Sequence, residues 1–169
     1  MKKFFKYGCK VLRVVPTNRE NTTMKRWILA AVLSFFGMLN GYAQQSEVFA
    51  PDGIAIKGYD PVAFFKAGKA VKGADSLSMQ WKNATWLFSS REHLDSFRVS
   101  PERYAPQYGG YCAYGTAGGH KAPTATDTWT IVDDKLYFNY NSKVKEMWMK
   151  DQQGLIRKAD AQWPGLKDK

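Results

Sequence analysis

The sequence predicts an α+β domain, a small antiparallel sheet built from two hairpins with helices packed on it. Three observations predict it. Two pairs of β-rich runs flank short turn-like segments, at residues 78–88 and 128–139. The capping residues Asp60, Ser89 and Asn141 stand ahead of segments with helical apolar spacing. Five tryptophans after residue 43 supply large apolar area for one small core.

Taken in order, residues 54–57 alternate Ile54 and Ile56 with smaller or polar residues and predict a short strand. Asp60 is an N-cap, and Pro61 fits the first helical position, where its missing N–H costs nothing. A helix over residues 62–66 follows, closed by Gly68, and residues 69–76 read as a connection with an edge strand. Residues 78–81 and 85–88 flank Lys82, Asn83 and Ala84 as the first hairpin. Ser89 to Glu92 has the form of a capping box. The helix it opens runs to Val99 and stops before Pro101, with His93, Leu94 and Phe97 on one face. Residues 128–132 and 135–139 flank Asp133 and Asp134 as the second hairpin. Asn141 caps a helix whose buried face is Val144, Met147 and Trp148, with Glu146 and Lys150 able to pair outside it. A last helix carries Leu155, Ile156 and Ala159, with Trp163 at its end before Pro164. No internal repeat is visible along the chain.

The first 43 residues read as targeting sequence. Met24, Lys25 and Arg26 form a basic start, residues 27–39 an apolar run, and Gly41 and Ala43 the small residues of a cleavage site before Gln44. The run is shorter than the roughly 20 residues of a spanning helix. An uncleaved anchor is the rival reading. Residues 1–23 fit an over-called extension, with synthesis starting at Met24. Cleavage at Gln44 makes the protein periplasmic or secreted, with no stable membrane span left. It also removes most of the charge. The chain is +10, but residues 1–43 hold +7 of it, leaving +3 on the remainder. No basic stripe argues for nucleic acid. Cys9 leaves with the leader, and Cys112 then has no intrachain partner.

Between the hairpins, Tyr104-Ala-Pro-Gln-Tyr-Gly-Gly-Tyr-Cys-Ala-Tyr114 concentrates aromatic rings, glycines and the cysteine. This is either a tightly packed corner or the wall of a small site. Tyr59, Tyr104, Tyr108, Tyr111 and Tyr114 are the candidate ligand-binding residues. His93, Cys112 and His120 are the candidate metal ligands, and thiolate with imidazole favours copper or zinc. The bland alternative is a hydrogen-bonded core histidine and a buried structural cysteine. A thiol-dependent enzyme, with His93 as base for Cys112, is the third reading, and no thiol-protease signature supports it.

Tyr59-Asp-Pro-Val-Ala63, Trp86-Leu-Phe-Ser-Ser90 with His93 and Phe97, and Pro101-Glu-Arg-Tyr104 resemble the YHS-domain family. The tyrosine-glycine motif and the hairpin at residues 129–139 resemble its exported bacterial branch. The likeness spans residues 53–164. It implies a small metal-related domain, akin to modules attached to copper and heavy-metal transport proteins. The family's cysteine positions fall here on Ala63, Ser89 and His93, of which His93 alone keeps a soft-metal ligand. The expectation is an exported, non-catalytic domain that binds copper, zinc or a small ligand. A protein-interaction module without metal is the alternative.

Overall fold

The structure is a computed structural model and describes residues 46–169, which lie in one compact unit, Gln44–Lys169. The signal-peptide, start-site and Cys9 readings lie outside the described residues. Helix α1 is Pro61–Lys66, followed by strands β1 (Ala74–Trp81) and β2 (Ala84–Phe88). Helices α2 (Arg91–Val99), α3 (Pro101–Tyr104) and α4 (Ala113–Ala117) come next. Then come β3 (Ala125–Val132), β4 (Lys135–Asn139), α5 (Ser142–Lys150) and α6 (Gln152–Leu166). The class is α+β, as the hairpin and cap patterns predict.

The hairpins do not join into one sheet. β1 pairs with β2 and β3 with β4, each as a separate two-stranded sheet. The outer edges of the inner strands are already engaged. Ile54 bridges to Thr85 on β2, and Cys112 bridges to Phe138 on β4. Ile54 makes only that bridge because the chain turns at once. Ile56 and Lys57 have φ of 42° and 56°, so the strand expected at 54–57 is a left-handed turn. Such a conformation is rare for a β-branched residue. Ile56 is held there by complete burial and by its N–H, which donates to the Phe49 carbonyl.

The same unit occurs twice. Each copy runs from a left-handed turn through a capped short helix, a bulged eight-residue strand, a two-residue turn and a five-residue strand to a capped nine-residue helix. In the first, Ile56, Lys57 and Gly58 turn left-handed; in the second, Tyr108, Gly109 and Gly110 do. Asp60 caps α1 and donates its N–H to the Val71 carbonyl; Cys112 caps α4 and donates to Ala122. The hairpin tips are Lys82–Asn83 and Asp133–Asp134, all with positive φ, as primed turns require. Ser90 caps α2 and Asn141 caps α5.

β4 is the wall between two cores. Leu136 and Phe138 enter the first core with Trp86, Phe88 and Phe97, while Tyr137 enters the second with Tyr108 and Trp148. A strand alternates its faces with period two, and here both faces are covered. Gly109 closes the second turn against the N-terminal segment, where a Cβ would overlap the Glu47 carbonyl oxygen. At the end of the chain, α6 runs through Pro164 to Leu166. It does not stop before the proline.

The first unit is tied together by one buried carboxylate. Asp60 is fully buried, and its Oδ1 accepts from the N–H of Val62 at 2.9 Å and of Ala63 at 3.3 Å. Its Oδ2 accepts from the Ser89 N–H at 2.8 Å and the Ser89 hydroxyl at 2.6 Å, and lies 2.6 Å from His93 Nδ1. Ser89 is thereby drawn off the helix, so the α2 cap is Ser90, whose hydroxyl accepts from the His93 N–H. Glu92, expected to reach back in a capping box, pairs with Lys66 instead. Losing a cap costs about 1 kcal/mol, and each buried donor left unpaired about 1–3 kcal/mol. Asp60→Ala should therefore lower the stability read from urea unfolding by about 3 kcal/mol or more. A loss under about 1 kcal/mol would show that the carboxylate is not the tie between these elements.

Candidate functional site

His93 is placed by α2 and aimed by Asp60. Both Asp60 oxygens already accept from backbone N–H groups, so Nδ1 is the donor in the 2.6 Å contact. The neutral ring then carries its lone pair on Nε2. A carboxylate behind Nδ1 is the arrangement that orients an imidazole as a metal ligand or base. The side chain is 14% exposed, so the ring is mostly buried.

Cys112 and His120 lie in the second unit. Cys112 is 1% exposed. Its sulfur accepts from the Gly115 N–H at 3.4 Å, and its thiol donates to Asn139 Oδ1 at 3.8 Å. It is the N-cap of α4, the position Asp60 holds in the first unit. His120 is exposed, with its ring against Gly115 and Gly118. No hydrogen bond joins Cys112 to His93. Among the described residues no three His, Cys, Asp or Glu side chains gather as metal ligands would.

The tyrosines divide by role. Tyr59 is half-buried under the Lys72 ammonium, 4.3 Å from its ring centroid, and Tyr104 meets Phe65 edge-on at 5.6 Å. Tyr111 is buried, and its hydroxyl donates to the Ser46 carbonyl at 2.8 Å. Tyr114 is 37% exposed. Of the five, Tyr108 alone lines the cleft described next. Its hydroxyl donates to Asp160 Oδ1 at 2.9 Å.

That cleft encloses about 200 Å³ between the tip of the first hairpin, the N-terminal segment, the left-handed turn of the second unit and the end of α6. Trp81, Trp86, Tyr108 and Trp163 form its apolar walls, and Glu47, Lys82, Glu102 and Asp160 its charged ones. The Lys82 ammonium sits 2.9 Å from Glu47, 3.3 Å from Glu102 and 4.6 Å from the Trp81 ring centroid. Burial works against this ammonium, but the two carboxylates outweigh it and hold the group above the ordinary lysine value. Sequence reasoning missed the charged members. They come from positions 47, 82, 102 and 160, each indistinguishable in sequence from a solvated surface charge.

Compared with protein-family models, with curated proteins and with solved structures, the chain matches none.

Two outcomes follow from this geometry. Native Cys112 should resist alkylation and react only as the protein unfolds; fast labelling of the native thiol would restore the thiol-enzyme reading. The phenols set a pH dependence. Burial, then Asp160 and Asp133, pushes Tyr137 up to about 12, and burial with the Asp160 hydrogen bond pushes Tyr108 higher still. Unfolded tyrosines ionise first, near 10.0, so above that pH the unfolded chain holds fewer protons. Stability should therefore be intact below pH 10.0 and fall as pH rises toward about 12. Thermal unfolding between about pH 9 and about pH 12 checks this, and Tyr137→Phe should flatten the slope.

Proposed function

We propose that this is an exported, non-catalytic binding domain of YHS type, working in the cell envelope, and that its site is the cleft between Trp81, Tyr108 and Trp163. The resemblance of residues 53–164 supports the type, and the apolar run before Gln44 supports export. The observation that carries the binding reading is the cleft itself. It is concave, walled by aromatic rings, and holds several charged groups that converge on one small volume. Binding sites for small molecules have this composition. It also lies where elements of both repeated units meet the N-terminal segment and α6, as sites at junctions commonly do.

A second reading rests on a specific observation of its own. The Asp60 carboxylate holds His93 through Nδ1 and leaves the Nε2 lone pair for another partner. His93 is then one ligand for copper or zinc, with the remaining donors coming from solvent or a partner.

One experiment separates the readings. The mature chain from Gln44 is screened by thermal shift and titration calorimetry against small cations, polyols, anions, Cu and Zn, with Trp163→Ala and His93→Ala alongside. The cleft reading expects stabilisation by an organic ligand that is lost in Trp163→Ala and kept in His93→Ala. The metal reading expects uptake lost in His93→Ala and kept in Trp163→Ala. No response from any compound sinks both.

A further inference from the structure

Three charges of one sign meet one of the other in the cleft. Glu47 and Glu102 pair with Lys82, and Asp160 lines the same cleft, so its lining residues sum to −2 while residues 44–169 sum to +3. A concave site with low-dielectric walls concentrates such a field. The Lys121 ammonium lies 5.9 Å from the Trp163 ring centroid beside this lining, so counting it leaves an excess of one carboxylate, which still favours a cation over an anion.

The chain shows what kind of group this environment holds. The Lys82 ammonium lies over the Trp81 ring and between two carboxylates. Aromatic faces attract cations through their quadrupole, and a carboxylate adds charge to the same preference. Trp163, from α6, adds a further ring on the cleft wall, 5.9 Å from Tyr108. Asp160 uses Oδ1 to accept from Tyr108, and Oδ2 has no hydrogen-bond partner among the described residues. One acidic oxygen and an aromatic wall therefore stand beside the pair of carboxylates that Lys82 uses.

We propose that the cleft binds a small organic ammonium, its charged head between Asp160 and the glutamates and its alkyl groups against Trp81 and Trp163. The inference rests on the cleft being the binding site and adds the chemical class of the ligand. A free amine and the headgroup of a lipid share this chemistry. Lys82 is one internal competitor, over Trp81, and Lys121 is a second, beside Trp163. The Lys82 ammonium already neutralises part of the site, so removing that charge should strengthen binding of an external cation.

The test uses the mature chain from Gln44 and three probes of matched shape: choline, its neutral isostere 3,3-dimethylbutan-1-ol, and 3,3-dimethylbutyrate. Titration at low ionic strength should show saturable binding of choline, weaker with added salt. The neutral probe should bind at least about tenfold less well, which corresponds to about 1.4 kcal/mol. The anion should not bind. Lys82→Gln should tighten choline several-fold, while Glu47→Gln and Trp163→Ala weaken it, with circular dichroism confirming that each variant is folded. Equal binding of the neutral probe, or preference for the anion, overturns the ammonium inference and leaves the cleft as a binding site. Binding of none of the three overturns the inference, and if the wider screen is also silent the cleft reading falls with it. Choline-headgroup vesicles distinguish the sources. Co-sedimentation that free choline competes away assigns the lipid headgroup, and choline binding without co-sedimentation assigns the free amine.

Discussion

The Asp60 carboxylate is the constraint on which the first unit depends. A buried carboxylate is tolerated only when its oxygens are matched by donors. Here the donors come from the start of α1, the residue after β2 and the first turn of α2. Satisfying one charge therefore fixes three elements that sequence separates by as many as 33 positions. His93 is positioned as a by-product of that requirement. Its ring is held on Nδ1, which leaves Nε2 as its uncommitted nitrogen. Around this carboxylate, side chains are either partners in a hydrogen-bonded cluster or part of the core. Ser89 and His93 are bound to Asp60, and Ala63 is buried beside them.

The second unit meets the same topological demand with softer chemistry. Cys112 occupies the cap position of Asp60, and Asn139 lies at the end of β4, where it can receive the thiol. Asn139 is itself locked, its N–H donating to the Thr128 hydroxyl at 2.8 Å across the bulge in β3. A thiol makes weaker bonds than a carboxylate. Around α4 the second core is closed by Tyr137, Trp148, Ile156 and Ala159. Cys112 thus has a structural account, as the buried cap of α4.

What the sequence made legible is what local physics controls. The Asp60 and Asn141 caps, the Pro61 start, both hairpins and the buried face of α2 follow from spacing and residue type within a few positions, while of the face expected on α5 only Trp148 is fully buried and Val144 and Met147 are half-buried. Three features resisted because their causes are distant. Ile56 takes a left-handed conformation because Phe49 receives its N–H, and Gly58 is the only local sign of a turn. Ser89 and Ser90 are equal cap candidates until Asp60 claims the first. The repeat escaped notice because its two copies preserve hydrogen-bond roles rather than residue identities. Asp60 matches Cys112 and Ser90 matches Asn141, while a Gly-Tyr pair closing each left-handed turn is among the few identities they share. The candidate metal ligands were drawn from residue type alone. The structure divides them, with His93 in one unit and Cys112 and His120 in the other.

The cleft joins these threads through Lys82. A lysine is a poor choice for the first position of a primed turn, where φ must be positive and glycine or asparagine is favoured. The strain is offset by the ring of Trp81 and the carboxylates of Glu47 and Glu102, which draw the ammonium down across the hairpin tip. Those bonds in turn attach the first hairpin to the N-terminal segment and to α3. Yet both ion pairs are partly exposed, and pairs of that kind contribute only about 0–1 kcal/mol each. Lys82 therefore holds the cleft in shape without sealing it. A ligand that carries its own cation needs to replace only weak contacts to reach the same carboxylates. A neutral or anionic ligand would have to leave the carboxylates unmatched or repel them. The interaction that organises the hairpin tip thus also sets the charge of what the cleft accepts.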